Sequence, residues 1–133
     1  MSQELKIKQI SATEIWNGEN RSTLRDGNII HVIAKGEQTL QSSLQQLEAN
    51  HIFSASLTGK VSFLIDLNQA GKNSPEARMI WKQTGEHENT FKIAMYGLHP
   101  VARVIASFAI GISKNPNQRF FKTEEEALAW IKE

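Results

Sequence analysis

The chain has 133 residues, 40% of them hydrophobic and 22% charged, with 15 Lys and Arg against 14 Asp and Glu for a formal charge of +1. That is enough to bury one core and too little for two ordinary domains, and so small a charge provides no general field toward nucleic acid or an anionic membrane. Cysteine is absent, which excludes disulfides, thiolate nucleophiles and cysteine-ligated metals; with neither a signal-peptide core nor a run near the ~20 apolar residues of a span, a cytoplasmic, non-inserted protein is expected.

Residues 5–10 (LKIKQI) alternate Leu5 and Ile7 with Lys6 and Lys8, the pattern of a half-exposed strand at a sheet edge. After a polar stretch over 17–21, residues 22–25 and 29–34 flank Asp26-Gly27, a hairpin signal because glycine accepts the positive φ of a tight turn freely. Leu40, Leu44 and Leu47 predict a helix over 38–51 with its Gln and Ser residues on the outer face.

Residues 61–67 (VSFLIDL) are apolar except for Ser62 and Asp66, which suits a parallel strand covered on both faces. Val61, Phe63 and Ile65 then point one way, and Ser62, Leu64 and Asp66 the other. This strand is expected at the centre of the sheet. Asp66 falls near its carboxyl end, the edge at which open α/β sheets place their sites.

A loop follows and ends in Asn73-Ser74-Pro75. The Ser74 hydroxyl can accept from a free first-turn amide, and Pro75 loses nothing by lacking an N–H, so a helix should start here. Ala77, Ile80, Trp81 and Thr84 would face the sheet and leave Arg78, Lys82 and Glu86 in water.

Residues 91–96 (FKIAMY) read as a second buried strand, parallel to and beside 61–67, ended by Gly97. His99-Pro100 opens a helix, Asn115-Pro116-Asn117 closes the loop after it, and 119–121 add a short final strand. Thr123 and Glu126 have the spacing of a capping box ahead of Ala127, Leu128 and Ile131 on a last helix. The fold class is therefore α/β: a single domain over 1–133, with 1–19 as an N-terminal extension, a mixed sheet with a parallel centre, an N-terminal hairpin and about four helices.

Little in the chain carries chemistry. His31, His51, His87 and His99 show no metal-ligand spacing, and there is no nucleophile elbow, phosphate-binding loop or dinucleotide fingerprint, so no catalytic residue, metal or cofactor is expected. Asp66 can cap its own loop or orient a site loop. Ser74 can be a plain N-cap or also a regulatory hydroxyl.

The helix over 101–112 has a core stripe of Val101, Val104, Ile105, Phe108 and Ile112, but Ala102, Ala106, Ala109 and Ile110 extend its apolar surface most of the way round. It needs a second cover: the N-terminal segment or last helix, a protein partner or second copy of the chain, or an apolar ligand.

Two stretches, FLIDLNQAGKNSPEAR and KIAMYGLHPVARVIASFAIGISKNPNQRFFKTEEEALAWI, make the chain from about Asn20 onward resemble the STAS-like, SpoIIAA-like family of small bacterial α/β proteins, which includes the anti-sigma-factor antagonists. In the antagonists the position matching Ser74 carries a phosphorylated Ser or Thr that switches partner binding. This chain departs from their pattern in having Asn73 where an acidic residue usually precedes that serine, and Pro75 where a glycine soon follows. The resemblance implies a noncatalytic regulatory or protein-interaction module, with Asp66, Asn73 and Ser74 at its partner-binding edge. Some relatives share a fold half with lipid-binding SEC14-type domains, so the alternative is a small apolar-ligand carrier walled by residues 101–112 and Trp81.

Overall fold

The sheet is ordered by its most apolar strand. The computed structural model describes residues 7–97 and 117–133. Its elements are β1 (Lys8–Ser11), β2 (Glu14–Asn17), β3 (Asn20–Arg25), β4 (Ile29–Gln38), α1 (Leu40–Ser54), β5 (Val61–Asn73), α2 (Pro75–Glu86), β6 (Thr90–Tyr96), β7 (Gln118–Phe121) and α3 (Glu124–Ile131). The seven strands stand in chain order in one sheet, with β1 to β4 antiparallel and β4 to β7 parallel. The mixed sheet with a parallel centre is thus observed, and β6 lies parallel to β5 with Phe63 opposite Ile93 and Asp66 opposite Tyr96.

Alternation along β5 builds two cores. Val61, Phe63 and Ile65 join Ile30, Val32, Ile93, Ala49 and Phe53 on the face covered by α1 and α2. Leu64 joins Ile29, Ala94, Tyr96, Ala127 and Ile131 on the face covered by α3. A parallel strand buried on both faces has no need of polar alternation, and residues 61–65 are all buried. On α2 the sheet-facing stripe is as expected, with Ala77 fully buried, Trp81 edge-on to Phe63 at 5.9 Å between ring centroids, and Arg78 and Glu86 exposed; Lys82 is half-buried.

Several expectations need correction. Strand β5 does not end at 67: it runs on to Asn73, because Gln69, Ala70 and Asn73 pair with Lys35, Gly36 and Gln38 of β4. The expected edge strand over 5–10 is β1, beginning at Lys8 and exposed throughout. Residues 14–17 form an unforeseen strand whose inner residues, Ile15 and Asn17, are buried. The Asp26-Gly27 hairpin forms, but its turn has three residues, with positive φ at both Gly27 (85°) and Asn28 (57°).

Helix α1 is rotated relative to its leucine pattern, leaving Leu44 and Leu47 half-buried. Ser43, Gln46, Ala49, Asn50 and Phe53 face inward while Leu40 is 45% exposed. Beneath the helix the Gln46 side-chain nitrogen donates to Ser22 Oγ and Asn50 Oδ1, both at 2.9 Å, while its Oε1 is buried with no protein partner. Paired in this way, the donor half of the buried amide loses little on leaving water.

At α3, Thr123 Oγ1 accepts from the Glu126 amide at 3.2 Å, but its hydroxyl also donates to Glu126 Oε1, so the carboxylate takes the hydroxyl proton and the reciprocal half of the capping box is not made. Three helices lie among the described residues. The expected helix over 101–112, with Ala102, Ala106, Ala109 and Ile110, lies outside them.

Candidate functional site

At their carboxyl ends β4 and β5 pass directly into helices, and the two helix starts lie side by side. Gln38 is paired with Asn73, and the Ser74 amide donates to the Gln38 carbonyl at 2.9 Å, which places Thr39, the N-cap of α1, next to Ser74, the N-cap of α2. Ser74 is extended (φ −68°, ψ 159°) and its Oγ accepts from the Ala77 amide at 3.0 Å, with Pro75 in the first turn. Geometry and residue type agree here: β-region backbone turns the hydroxyl back onto a free amide, and proline's fixed φ suits the position after it. Asn73 is exposed, and its carbonyl accepts from Arg78 Nη1 at 3.1 Å.

Asp66 does not join them. Six residues of bulged strand separate it from Asn73, roughly 20 Å at the usual rise per residue. Its Oδ1 accepts from both the backbone amide and the side-chain amide of Asn68, each at 2.9 Å, so it is tied locally to its own strand two residues on. The Asn68 side chain is packed against Gly97, where φ is +91° and an added Cβ would lie 2.5 Å from the amide.

On the α3 face, four side chains from four elements meet in a chain that no local pattern in the sequence announces. Tyr96 is buried, and its hydroxyl donates to Glu124 Oε1 at 3.0 Å. That commits the only phenolic proton, so His31 Nε2, 2.9 Å from the same oxygen, must be the donor. The opposite ring nitrogen, Nδ1, then accepts from Arg25 Nη1 at 3.4 Å, and Arg25 closes the circuit on Glu124 Oε2 at 3.5 Å.

Burial holds the imidazole of His31 below its ordinary value. The Glu124 and Asp66 carboxylates pull it upward, while the Arg25 and Arg21 guanidinium groups reinforce the lowering. Burial, with Asp66 and Glu124 nearby, also pushes the Tyr96 phenol far above its ordinary value, which keeps its proton in place as a donor. The sequence places these groups 65 and 28 residues apart, and only the sheet register and the docking of α3 assemble them.

Residues 23–133 match the family described as Domain of unknown function (DUF7793). The chain belongs to that family. None of the curated proteins is similar to it. Among solved structures it is similar to an uncharacterised protein of the DUF3478 family with a SpoIIAA-like fold from Shewanella loihica PV-4, at 17% identity and a TM-score of 0.63 over 84% of this chain and 93% of that one. It is also similar to the anti-sigma factor antagonist SpoIIAA in its unphosphorylated form, at 14% identity and a TM-score of 0.55 over 85% of this chain and 97% of that one. At such identities the likeness establishes the fold, and the fold is SpoIIAA-like. Within this DUF7793 chain no helix among the described residues is long and apolar enough to cross a membrane.

Proposed function

We propose that the protein is a noncatalytic regulatory module that binds a protein partner through the carboxyl ends of β4 and β5, with Ser74 at the centre of the contact. The observation that carries this reading is the hydroxyl of Ser74 at the start of α2, beside the parallel start of α1, in a fold shared with a protein described as an anti-sigma factor antagonist. Exposed residues flank it on both sides, Lys72 and Asn73 before and Pro75 and Glu76 after, so a partner can reach the edge without the helices moving. Asp66 serves this reading as a brace for the neighbouring strand end. A cytoplasmic setting suits such a module.

The sign of a charge at Ser74 follows from the helix end. A phosphate or carboxylate there sits against first-turn amides and the positive end of the helix dipole, which stabilises the isolated domain by up to about 1 kcal/mol. In a packed contact the same charge must be desolvated or paired, so it opposes binding. Ser74→Ala should fold with a loss of about 1 kcal/mol in urea unfolding, as a missing cap, and should keep its partner; Ser74→Asp should fold normally and lose it. Quantitative pull-downs from the native cells check this, and equal recovery of the same partners by both variants would overturn the proposal.

A further inference from the structure

We propose that His31 is a proton-operated latch, which ties the β3–β4 hairpin to the first turn of α3 while it is neutral and releases that turn when it takes up a proton in mildly acidic conditions. The latch is the directed chain from Arg25 to His31, from His31 to Tyr96, and from Tyr96 to Glu124. Every link depends on the neutral ring having its hydrogen on Nε2 and its lone pair on Nδ1.

A second proton can go only to Nδ1, where it meets Arg25 Nη1 at 3.4 Å, so a donor faces a donor and a cation faces a cation. The charged and titratable groups facing His31 are Arg25 and Arg21 from β3, Asp66 from β5, Tyr96 from β6 and Glu124 from α3. The two carboxylates would welcome an imidazolium, but burial and the two arginines oppose it, and the balance lowers the proton affinity. Either His31 or Arg25 must therefore swing out on protonation. If Arg25 moves, Glu124 loses a partner directly; if His31 moves, the Tyr96 hydroxyl that donates to Glu124 loses the donor that fixes its orientation.

The far end of α3 has separate anchors. Ile131 is buried, Lys92 Nζ donates to the Trp130 carbonyl at 2.6 Å, and Lys92 and Arg119 both lie over the Trp130 ring. Release is thus confined to the beginning of the helix, where the Ala127 amide bonds the Thr123 carbonyl at 3.2 Å. Because the folded value is depressed, the stability lent by neutral His31 is full above the ordinary 6.5 and is lost as pH falls from there through the depressed value.

The test is amide hydrogen exchange across α3, corrected for intrinsic rates, on the whole chain from pH 7.5 to 5.5. Protection at Ala127 and Leu128 should fall by up to about tenfold toward pH 5.5, since each pH unit below the open-state value is worth a factor of ten, while Lys132 should barely change. In His31→Gln the side-chain amide can still donate to Tyr96 but cannot titrate, and protection should be flat over this window. Nitrogen spectra of the unmodified protein give an independent reading: the ring proton of His31 should be on Nε2 at pH 7.5, and its titration should coincide with the loss of protection. Flat protection in the unmodified chain, an equal fall in His31→Gln, or a ring proton on Nδ1 would each overturn the proposal.

Discussion

Phe53→Ala should lower the unfolding free energy by about 3–5 kcal/mol, a large part of the 5–15 kcal/mol typical of a domain. Phe53 is 1% exposed and packs from the last turn of α1 into the core shared by Val61, Phe63, Ile65 and Ile93. Truncation removes the ring's burial and leaves a cavity that β5 and β6, hydrogen-bonded on both sides, cannot collapse to fill. Leu40→Ala is the matched control. Leucine spacing alone makes Leu40 a core residue, but it is 45% exposed, so its loss should cost within about 1 kcal/mol. Urea unfolding of the two variants checks the orientation of α1: similar losses, or a larger loss for Leu40, would mean that the helix presents its leucines to the sheet.

Asn20→Ala should cost about 1–3 kcal/mol through hydrogen bonding alone, because the part-buried Lys35 amide and the buried Gln38 side chain each lose their closest partner at once. Asn20 is 4% exposed; its Oδ1 accepts from the Lys35 amide and its Nδ2 donates to Gln38 Oε1, both at 2.8 Å. The side chain thereby continues the β3–β4 ladder beyond its last backbone pair, Arg21 with Ile33. Gln38 also accepts the Ser74 amide on its carbonyl, so this loss reaches the proposed binding edge. Asn20→Asp keeps the acceptor for Lys35, and Gln38 can rotate to donate to it, so part of the stability should return in a thermal or urea melt.

The elements legible in the sequence are those whose local signal agrees with their tertiary role. The apolar runs of β5 and β6, the Asp26-Gly27 turn and the Ser74-Pro75 helix start were readable because burial, positive φ and capping act within a few residues. Residues 67–73, by contrast, read LNQAGKN, and a polar stretch with a glycine carries loop chemistry. They are strand because β4 is long enough to pair with them, and Gly71 fits because an added Cβ would lie 3.2 Å from the Glu37 amide nitrogen.

Helix α1 departs from its leucine pattern for a related reason. Two stripes on it have helical spacing, and the more polar one is buried, with Ser22 and Asn50 accepting from the Gln46 side-chain nitrogen and Ala49 and Phe53 packing in the core. Hydrophobicity cannot choose between them. At the candidate site, Ser74 was readable as a cap, whereas the His31, Tyr96 and Glu124 chain depends on register and on the docking of α3, which no window of the sequence contains.

Native mass spectrometry of the protein drawn gently from its own cells tests partner binding most directly. The account predicts a complex with a polypeptide of different mass, present for the unmodified chain and Ser74→Ala and absent for Ser74→Asp. A small-molecule mass carried by all three would contradict it in favour of an apolar-ligand carrier, and a complex unchanged by Ser74→Asp would place the contact somewhere other than the carboxyl ends of β4 and β5.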